Sequence, residues 1–289
     1  MVAGHRFTFE LVSSGQARKI PDNYAPFEAL DDGDSLFRIS AGYICPFERP
    51  ANAEEVYADV SEPGEPLIGL YSTEDGWWIE MAPVNTVPPV ASLRVNKDFT
   101  TGTLICSTES MLRFALDNSA MLLFAFKTAC LDTLEMHSSV TVKDGKAYMF
   151  LAASGTGKST HSRMWLENVP GSTLLNDDNP IVRILDDGTV RVFGSPWSGK
   201  TPCYRNESAE LGAMVLIRRS RENKISPLSI PEAYGIIYSS SSGFRPIEEM
   251  ADGLHSTISA IALKSCCHVL DCRPDAEAAK ICSEALCKQ

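Results

Sequence analysis

The sequence predicts an α/β fold, in which a mixed central sheet is preceded by a β-rich N-terminal region. Three observations carry this prediction. Residues 147–151 form an apolar run typical of a buried strand, residues 152–157 form a glycine-rich turn, and Met164, Trp165 and Val169 recur with the spacing of one helix face. A strand that leads through a glycine-rich turn into a helix belongs to an α/β layer.

The strand, turn and helix also provide the context of a phosphate-binding loop. The candidate residues of the loop are Ser154, Gly155, Thr156, Gly157, Lys158, Ser159 and Thr160. The glycines let backbone N–H groups turn inward around an anion, and the helix dipole adds positive charge. We expect Lys158 to reach the outer phosphates of ATP and Ser159 to bind Mg²⁺. The alternative is an ordinary glycine-rich turn followed by a surface lysine.

One position departs from the usual loop pattern. Ala152 stands where that pattern opens with glycine. Because alanine takes a positive φ only at a cost, we expect Ala152 to belong to the strand.

Composition argues against several classes of partner. The 289 residues include 26 Lys and Arg and 37 Asp and Glu, a net charge of −11, which favours neither nucleic acid nor an anionic membrane. The nine cysteines lack zinc-site spacing and indicate reduced thiols in a cytoplasmic protein. The N-terminus has no signal-peptide core, and the most apolar stretch, 120–130, is too short to span a bilayer.

Residues 1–107 are interpreted as the β-rich region and residues 108–289 as a nucleotide-binding domain. Strands of the first part are expected at 36–39, 67–71, 77–81 and 104–106. Residues 108–135 are predicted to be helical, with a break near Asp117. The later elements are predicted as strands at 137–142, 181–185, 190–193, 211–217 and 267–270 and helices within 231–263 and 275–287.

Asp177 and Asp178 end the short apolar run that follows the loop helix. One carboxylate there can hold Mg²⁺, and a second can accept the proton of an attacking hydroxyl. Neighbouring residues on a strand point to opposite sides. We therefore expect one Asp to face Ser159 and the metal and the other to face the acceptor near His137. The alternative is an Asp-rich turn before Asn-Pro.

Three further residues are candidates on weaker grounds. His137 lies on the predicted strand beside the loop strand, where pairing would aim it at the phosphates; the alternative is a packed histidine. Lys200 and Arg205, in and after the loop 194–200, could neutralise a transferred phosphoryl group. The alternative for both is a solvated surface loop.

These motifs resemble those of the HPr kinase/phosphorylase and phosphoenolpyruvate carboxykinase superfamily. The resemblance covers about residues 108–217 and rests on Met-His-Ser-Ser at 136–139, the loop, the Asp pair and Gly-Ser-Pro-Trp-Ser-Gly-Lys-Thr at 194–201. The motifs are also similar to those of the HPr-kinase-like proteins found beside ribosomal peptide modification genes. The resemblance implies that His137 lies near the phosphates, that Asp177 is the base, and that Asp178, Ser159 and Glu207 bind metal.

The leading hypothesis is an ATP- and Mg²⁺-dependent kinase that acts on a hydroxyl, in the first place Ser of a peptide or protein. A small hydroxylated metabolite is the next acceptor, and a carboxykinase is the third choice. The hypothesis from another class is a nucleotide-binding module without catalysis, serving a peptide-modifying system. The sequence leaves the nucleobase, any phosphorylase activity and the oligomeric state open, a homo-oligomer included.

Lys158→Ala is predicted to abolish ATP turnover while the fold stays intact. The change removes the point charge on the outer phosphates and, judged from sequence, no core contact. Turnover and far-UV circular dichroism of the variant check this. Unchanged turnover would contradict the assignment of the loop.

Overall fold

The structure is a computed structural model with an α/β architecture, and the predicted fold class is confirmed. The structure describes residues 1–12, 19–29, 33–58, 67–84, 86–153, 155–199 and 201–287. The predicted site residues Ser154 and Lys200 lie outside these described ranges. Packing divides the chain into two compact units, the first ending at Lys127 and the second beginning at Thr128.

The first unit is rich in strands, as the sequence predicts. Its strands are β1 (Thr8–Leu11), β2 (Arg38–Ile44), β3 (Glu54–Ala58), β4 (Leu67–Thr73), β5 (Gly76–Ala82), β6 (Ala91–Asn96) and β7 (Thr101–Cys106). They form a mixed sheet in the order β1-β2-β7-β6-β5-β4-β3. The sequence patterns miss β1, β3 and β6. Strand β3 is exposed along its whole length, so it has no alternation of buried and exposed residues to reveal it.

Helix α1 (Leu112–Thr128) runs without the predicted break. The two polar residues at the predicted break have partners within the first unit: the amide of Asn118 donates to a carbonyl one turn earlier at 2.8 Å, and Asp117 accepts from Asn23 at 3.0 Å. Because this contact and others tie the helix to the N-terminal residues, the first unit extends beyond residue 107, where the sequence suggested a boundary.

The second unit contains the sheet that carries the loop. Its strands are β8 (Thr133–Glu135), β9 (Ser138–Lys143), β10 (Lys146–Leu151), β11 (Thr173–Asp178), β12 (Ile181–Ile184), β13 (Val190–Phe193), β14 (Ser208–Arg219), β15 (Lys224–Pro227) and β16 (Cys267–Cys272). Its helices are α2 (Lys158–Asn168), α3 (Ile230–Ser240), α4 (Glu248–Lys264) and α5 (Ala276–Leu286). The sheet order is β11-β9-β10-β14-β13-β12-β8, with β16 beside β14 and β15 beside β16.

Strand β10 lies at the centre of this sheet and is buried on both faces. Met149 and Leu151 belong to one core, which includes residues of α3 and α4. Tyr148 and Phe150 belong to the opposite core, which includes residues of α2 and α5. A strand covered on both faces needs a continuous apolar run, which explains the sequence pattern at 147–151.

The carboxyl ends of three strands lie at one edge of this sheet. Strands β10 and β11 are both antiparallel to β9, and β14 is parallel to β10. Their last residues, Leu151, Asp178 and Arg219, therefore lie at the same edge, where α/β sheets bind ligands.

Strand β10 ends one residue earlier than predicted, at Leu151 rather than Ala152. Leu151 is opposite Ser138 in the register, so Ala152 would need His137 as its partner. The backbone N–H of His137 instead donates to the carbonyl of Ser240 at 2.7 Å. Ala152 therefore has no partner on the β9 side, and the chain leaves the sheet and enters the loop.

Two general properties bear on the sequence expectations. In the part of the chain that the structure describes, no helix combines the length and apolar character needed to cross a membrane. All nine cysteines are free thiols.

Trp165→Ala is predicted to cost about 3–5 kcal/mol of unfolding free energy, the usual price of emptying a buried aromatic site. Trp165 is fully buried, and its ring centroid lies 5.0 Å from that of Tyr148 and 5.3 Å from that of Phe150. Urea titrations measure the loss, with Leu166→Ala, an exposed position on the same helix, as the control. Equal losses in the two variants would contradict the packing described.

Candidate active site

Two glycines between β10 and α2 adopt a left-handed backbone conformation. Gly155 and Gly157 have φ of 70° and 131°, a region that residues with a Cβ rarely adopt. A Cβ at either position would meet no atom within 4 Å, so conformation rather than space demands glycine here. Helix α2 begins at Lys158, and the first N–H groups of a helix lack partners within it. Together they form an electropositive backbone cradle.

Lys158 is buried, which the sequence did not predict. It is 8% exposed, and its Nζ donates to the carbonyl of Ala152 at 3.1 Å. Replacing Lys158 therefore also removes a buried contact, contrary to the sequence expectation. Ser159 is exposed in the first turn of the helix, and Thr160 is half-buried. Both lie in the first turn of α2, directly after Lys158.

Arg219, at the carboxyl end of β14, is a contact of the loop that the sequence analysis missed. Its Nη2 donates to the carbonyl of Gly155 at 2.7 Å, and its Nε donates to that of Thr156 at 3.2 Å. No local motif marks Arg219. The available signal was its place at the end of a strand that pairs in parallel with the loop strand.

The register of β11 on β9 separates the two aspartates. Asp177 is opposite Ser139, whose hydroxyl accepts a hydrogen bond at 2.6 Å from Ser162 of α2. Directly opposed residues project from the same face of a sheet, so the buried Asp177 lies on the face that α2 covers. Asp178 is opposite Ser138 and projects from the other side.

His137 and Asp178 are in contact. Nδ1 of His137 lies 3.1 Å from Oδ1 of Asp178, within hydrogen-bonding distance. This hydrogen bond is the largest influence on the pKa of His137 and raises it, as do the charges of Asp178 and Glu135, whereas burial and the Lys158 ammonium lower it. The sequence expectation that His137 meets the Asp pair is therefore met, through Asp178.

The backbone at Asp178 is strained. Its φ of 151° is rare for a residue other than glycine. The neighbouring chain holds it there. The N–H of Gly199 donates to the carbonyl of Asp177 at 2.7 Å, and a Cβ on Gly199 would lie 3.2 Å from the carboxyl carbon of Asp178. Glycine at 199 thus lets the loop after β13 approach the aspartate closely.

Asn176 organises this approach and was not singled out from sequence. It is fully buried, and its amide donates to the hydroxyl of Ser195 at 3.2 Å and to the carbonyl of Trp197 at 3.1 Å. Its Oδ1 accepts from the N–H of Asn179 at 3.0 Å. One side chain therefore fixes both the turn after the Asp pair and the loop beside it.

Arg205 and Glu207 are exposed and face each other, with 3.8 Å between Nη1 and Oε2. No described contact joins either side chain to Ser159 or the Asp pair. Among the described residues no group of three or more His, Cys, Asp and Glu side chains is arranged to hold a metal. Mg²⁺ in phosphate sites commonly uses only one or two carboxylates plus phosphate oxygens, so such a site does not require a cluster of protein ligands.

Glu135 is a further acid beside the site that the sequence analysis missed. Its side chain is fully buried, and neither carboxyl oxygen has a hydrogen-bond partner among the described residues. Burial raises its pKa to about 7. The Ser242 side chain and the charge of His137 lower that pKa, and the charge of Asp178 raises it. A carboxyl group with this pKa is largely neutral below pH 7.

Comparison with known proteins assigns no family. No protein-family model matches the chain, and no curated protein matches it. Among solved structures, the chain is similar to the Hpr(Ser) kinase/phosphatase from Coxiella burnetii, at 13% identity over 45% of this chain and 97% of that one, with a TM-score of 0.26. A superposition this loose transfers neither a fold nor an activity.

Glu135→Gln is predicted to gain stability relative to the wild type, and this difference in unfolding free energy should grow as pH rises from about 4.5 to 7. The unfolded chain releases this proton near pH 4.5 and the folded chain near 7, so the wild type loses stability across that window and then levels off. The loss is at most about 3 kcal/mol, and the neutral amide avoids it.

Urea titrations at several pH values across this window measure the difference from wild type. Glu167→Gln, an exposed acid on α2, is the control and should follow wild type throughout. A Glu135→Gln difference that stays constant with pH would contradict a desolvated carboxyl at this position.

Proposed function

We propose that this chain is an ATP- and Mg²⁺-dependent kinase that transfers the γ-phosphoryl group to a hydroxyl. The observation that carries the proposal is that the glycine-rich start of α2 and a His–Asp pair lie at one edge of the sheet. Phosphoryl transfer requires these parts: donors that hold the phosphates and a group that orients the nucleophile. The resemblance of the motifs to HPr kinases supports the same reaction.

The cradle would hold the nucleotide through the N–H groups at the start of α2, with Lys158 at the outer phosphates. To do so, Lys158 must exchange its bond to the carbonyl of Ala152 for a phosphate oxygen. Mg²⁺, held by Ser159, Asp177 and the phosphates, would supply charge neutralisation. We choose Asp177 for the metal because it shares the α2 face with the loop. This reverses the assignment that the resemblance implied.

Asp178 would accept the proton of the acceptor hydroxyl, with His137 as its partner. The hydrogen bond between them orients the carboxylate, and the imidazole stays near the charge that develops on the phosphoryl group. We retain Lys200 and Arg205 as cations for that charge and Glu207 as an additional metal ligand. These three roles rest on the sequence.

The acceptor is proposed as Ser of a peptide or protein, following the resemblance. Incubation with γ-labelled ATP and serine-containing peptides tests this directly. Transfer of the label to a small hydroxylated compound instead would identify the protein as a metabolite kinase. Nucleotide binding with neither transfer nor hydrolysis would identify a non-catalytic module.

Replacing each of the two aspartates is predicted to affect nucleotide binding and turnover differently. Asp177→Asn should weaken Mg²⁺·ATP binding and turnover together, because it removes a metal ligand. Asp178→Asn should leave binding nearly intact and lower turnover by about 10²–10⁴-fold, the usual contribution of a general base.

Nucleotide titration and turnover of both variants measure this split. Asp144→Asn, in the exposed turn between β9 and β10, serves as the control and should match wild type. Equal loss of binding in the two site variants would refute the divided roles.

A further inference from the structure

Arg219 sits where it can control the shape of the phosphate loop. Its guanidinium bonds two successive carbonyls of that loop, those of Gly155 and Thr156. Both bonds come from one planar group, which fixes their relative direction. A guanidinium used in this way holds peptide planes and does not balance an acidic side chain.

The orientation of these peptide planes decides where the loop N–H groups point. In a trans peptide the carbonyl of one residue and the N–H of the next point in opposite directions. The carbonyl of Thr156 is turned toward Arg219, so the N–H of Gly157 points away from it. The carbonyl of Gly155 is also turned toward Arg219, so the N–H of Thr156 points the other way and donates to the carbonyl of Ala153 at 3.1 Å.

The loop needs such an external support. Its two glycines adopt positive φ and have no side chains that could pack and hold the turn. Glycine loses more conformational freedom on ordering than any other residue. Bonds from a fixed strand therefore lower the entropy that phosphate binding would otherwise cost.

The backbone at Arg219 is held in the sheet. The next residue, Ser220, donates its N–H to the carbonyl of Cys272 at 3.0 Å, and Arg219 is the last residue of β14, paired with Cys272. The preceding residue, Arg218, points to the opposite face and binds Asp271 through two bonds of 2.8 Å. Two adjacent arginines thus hold different parts of the structure.

We propose that Arg219 is a positioning residue of the phosphate loop, acting on bound phosphate through the backbone of Gly155 and Thr156. The inference rests on the proposed phosphate binding and names a residue that no motif includes. This role requires the forked geometry of the guanidinium, and a positive charge alone would not suffice.

The first test measures affinity for Mg²⁺·ATP and for pyrophosphate by titration calorimetry. Arg219→Ala and Arg219→Lys should both weaken binding about tenfold, the worth of one to two hydrogen bonds. Added guanidinium ion should partly restore Arg219→Ala. Arg218→Ala, which loses an equivalent bidentate contact one residue away, should bind like wild type.

Wild-type affinity in Arg219→Lys would overturn the inference, because a point charge would then be enough. Wild-type affinity in Arg219→Ala would overturn it too. Absence of binding by the wild type itself would instead refute the proposed function.

The second test needs no ligand. Amide hydrogen exchange at residues 155–157 should be faster in Arg219→Ala than in wild type or Arg218→Ala, because the loop loses its support. Unchanged exchange at these amides would refute the positioning role even if phosphate binding is established.

Discussion

The antiparallel pairing of β9 with both β10 and β11 is the constraint on which the candidate site depends. Because β9 runs between them, the loop strand and the aspartate strand point the same way and end at one edge. The same register puts Asp177 on the α2 face and Asp178 on the other. A slip of one residue would exchange the faces of the two aspartates. The hydrogen bond between Ser139 and Ser162 joins β9 to α2 and keeps the Ser139 face of β9 toward that helix.

Positive groups at this edge of the sheet offset the negative charge of an acidic protein. The chain carries a net charge of −11, so a polyphosphate needs local positive charge. The backbone of the loop and the start of α2 supply part of it without any side chain. Lys158 adds more from a buried position, and the hydrogen bond to Asp178 raises the pKa of His137, which favours its charged form. Glu135 adds a buried carboxyl whose raised pKa limits its negative charge near neutral pH.

Sequence alone was sufficient where a local pattern has one structural solution. The apolar run of β10, the glycines at positive φ and the start of α2 all follow from short-range chemistry. Arg219, Asn176 and Glu135 were missed because their roles come from strand pairing and burial, which no short window encodes. The division between Asp177 and Asp178 was predicted as a principle, but assigning each to a face required the register. Burial of Lys158 likewise depends on where the preceding carbonyl turns.

The central claim is that the backbone after β10 binds phosphate. Amide chemical shifts of the ¹⁵N-labelled protein during addition of Mg²⁺·ATP test this most directly. The account predicts that the largest changes fall on Gly155, Gly157 and Lys158, and that adenosine without phosphates does not produce them. Changes centred elsewhere in the chain, or equal changes with adenosine alone, would contradict it.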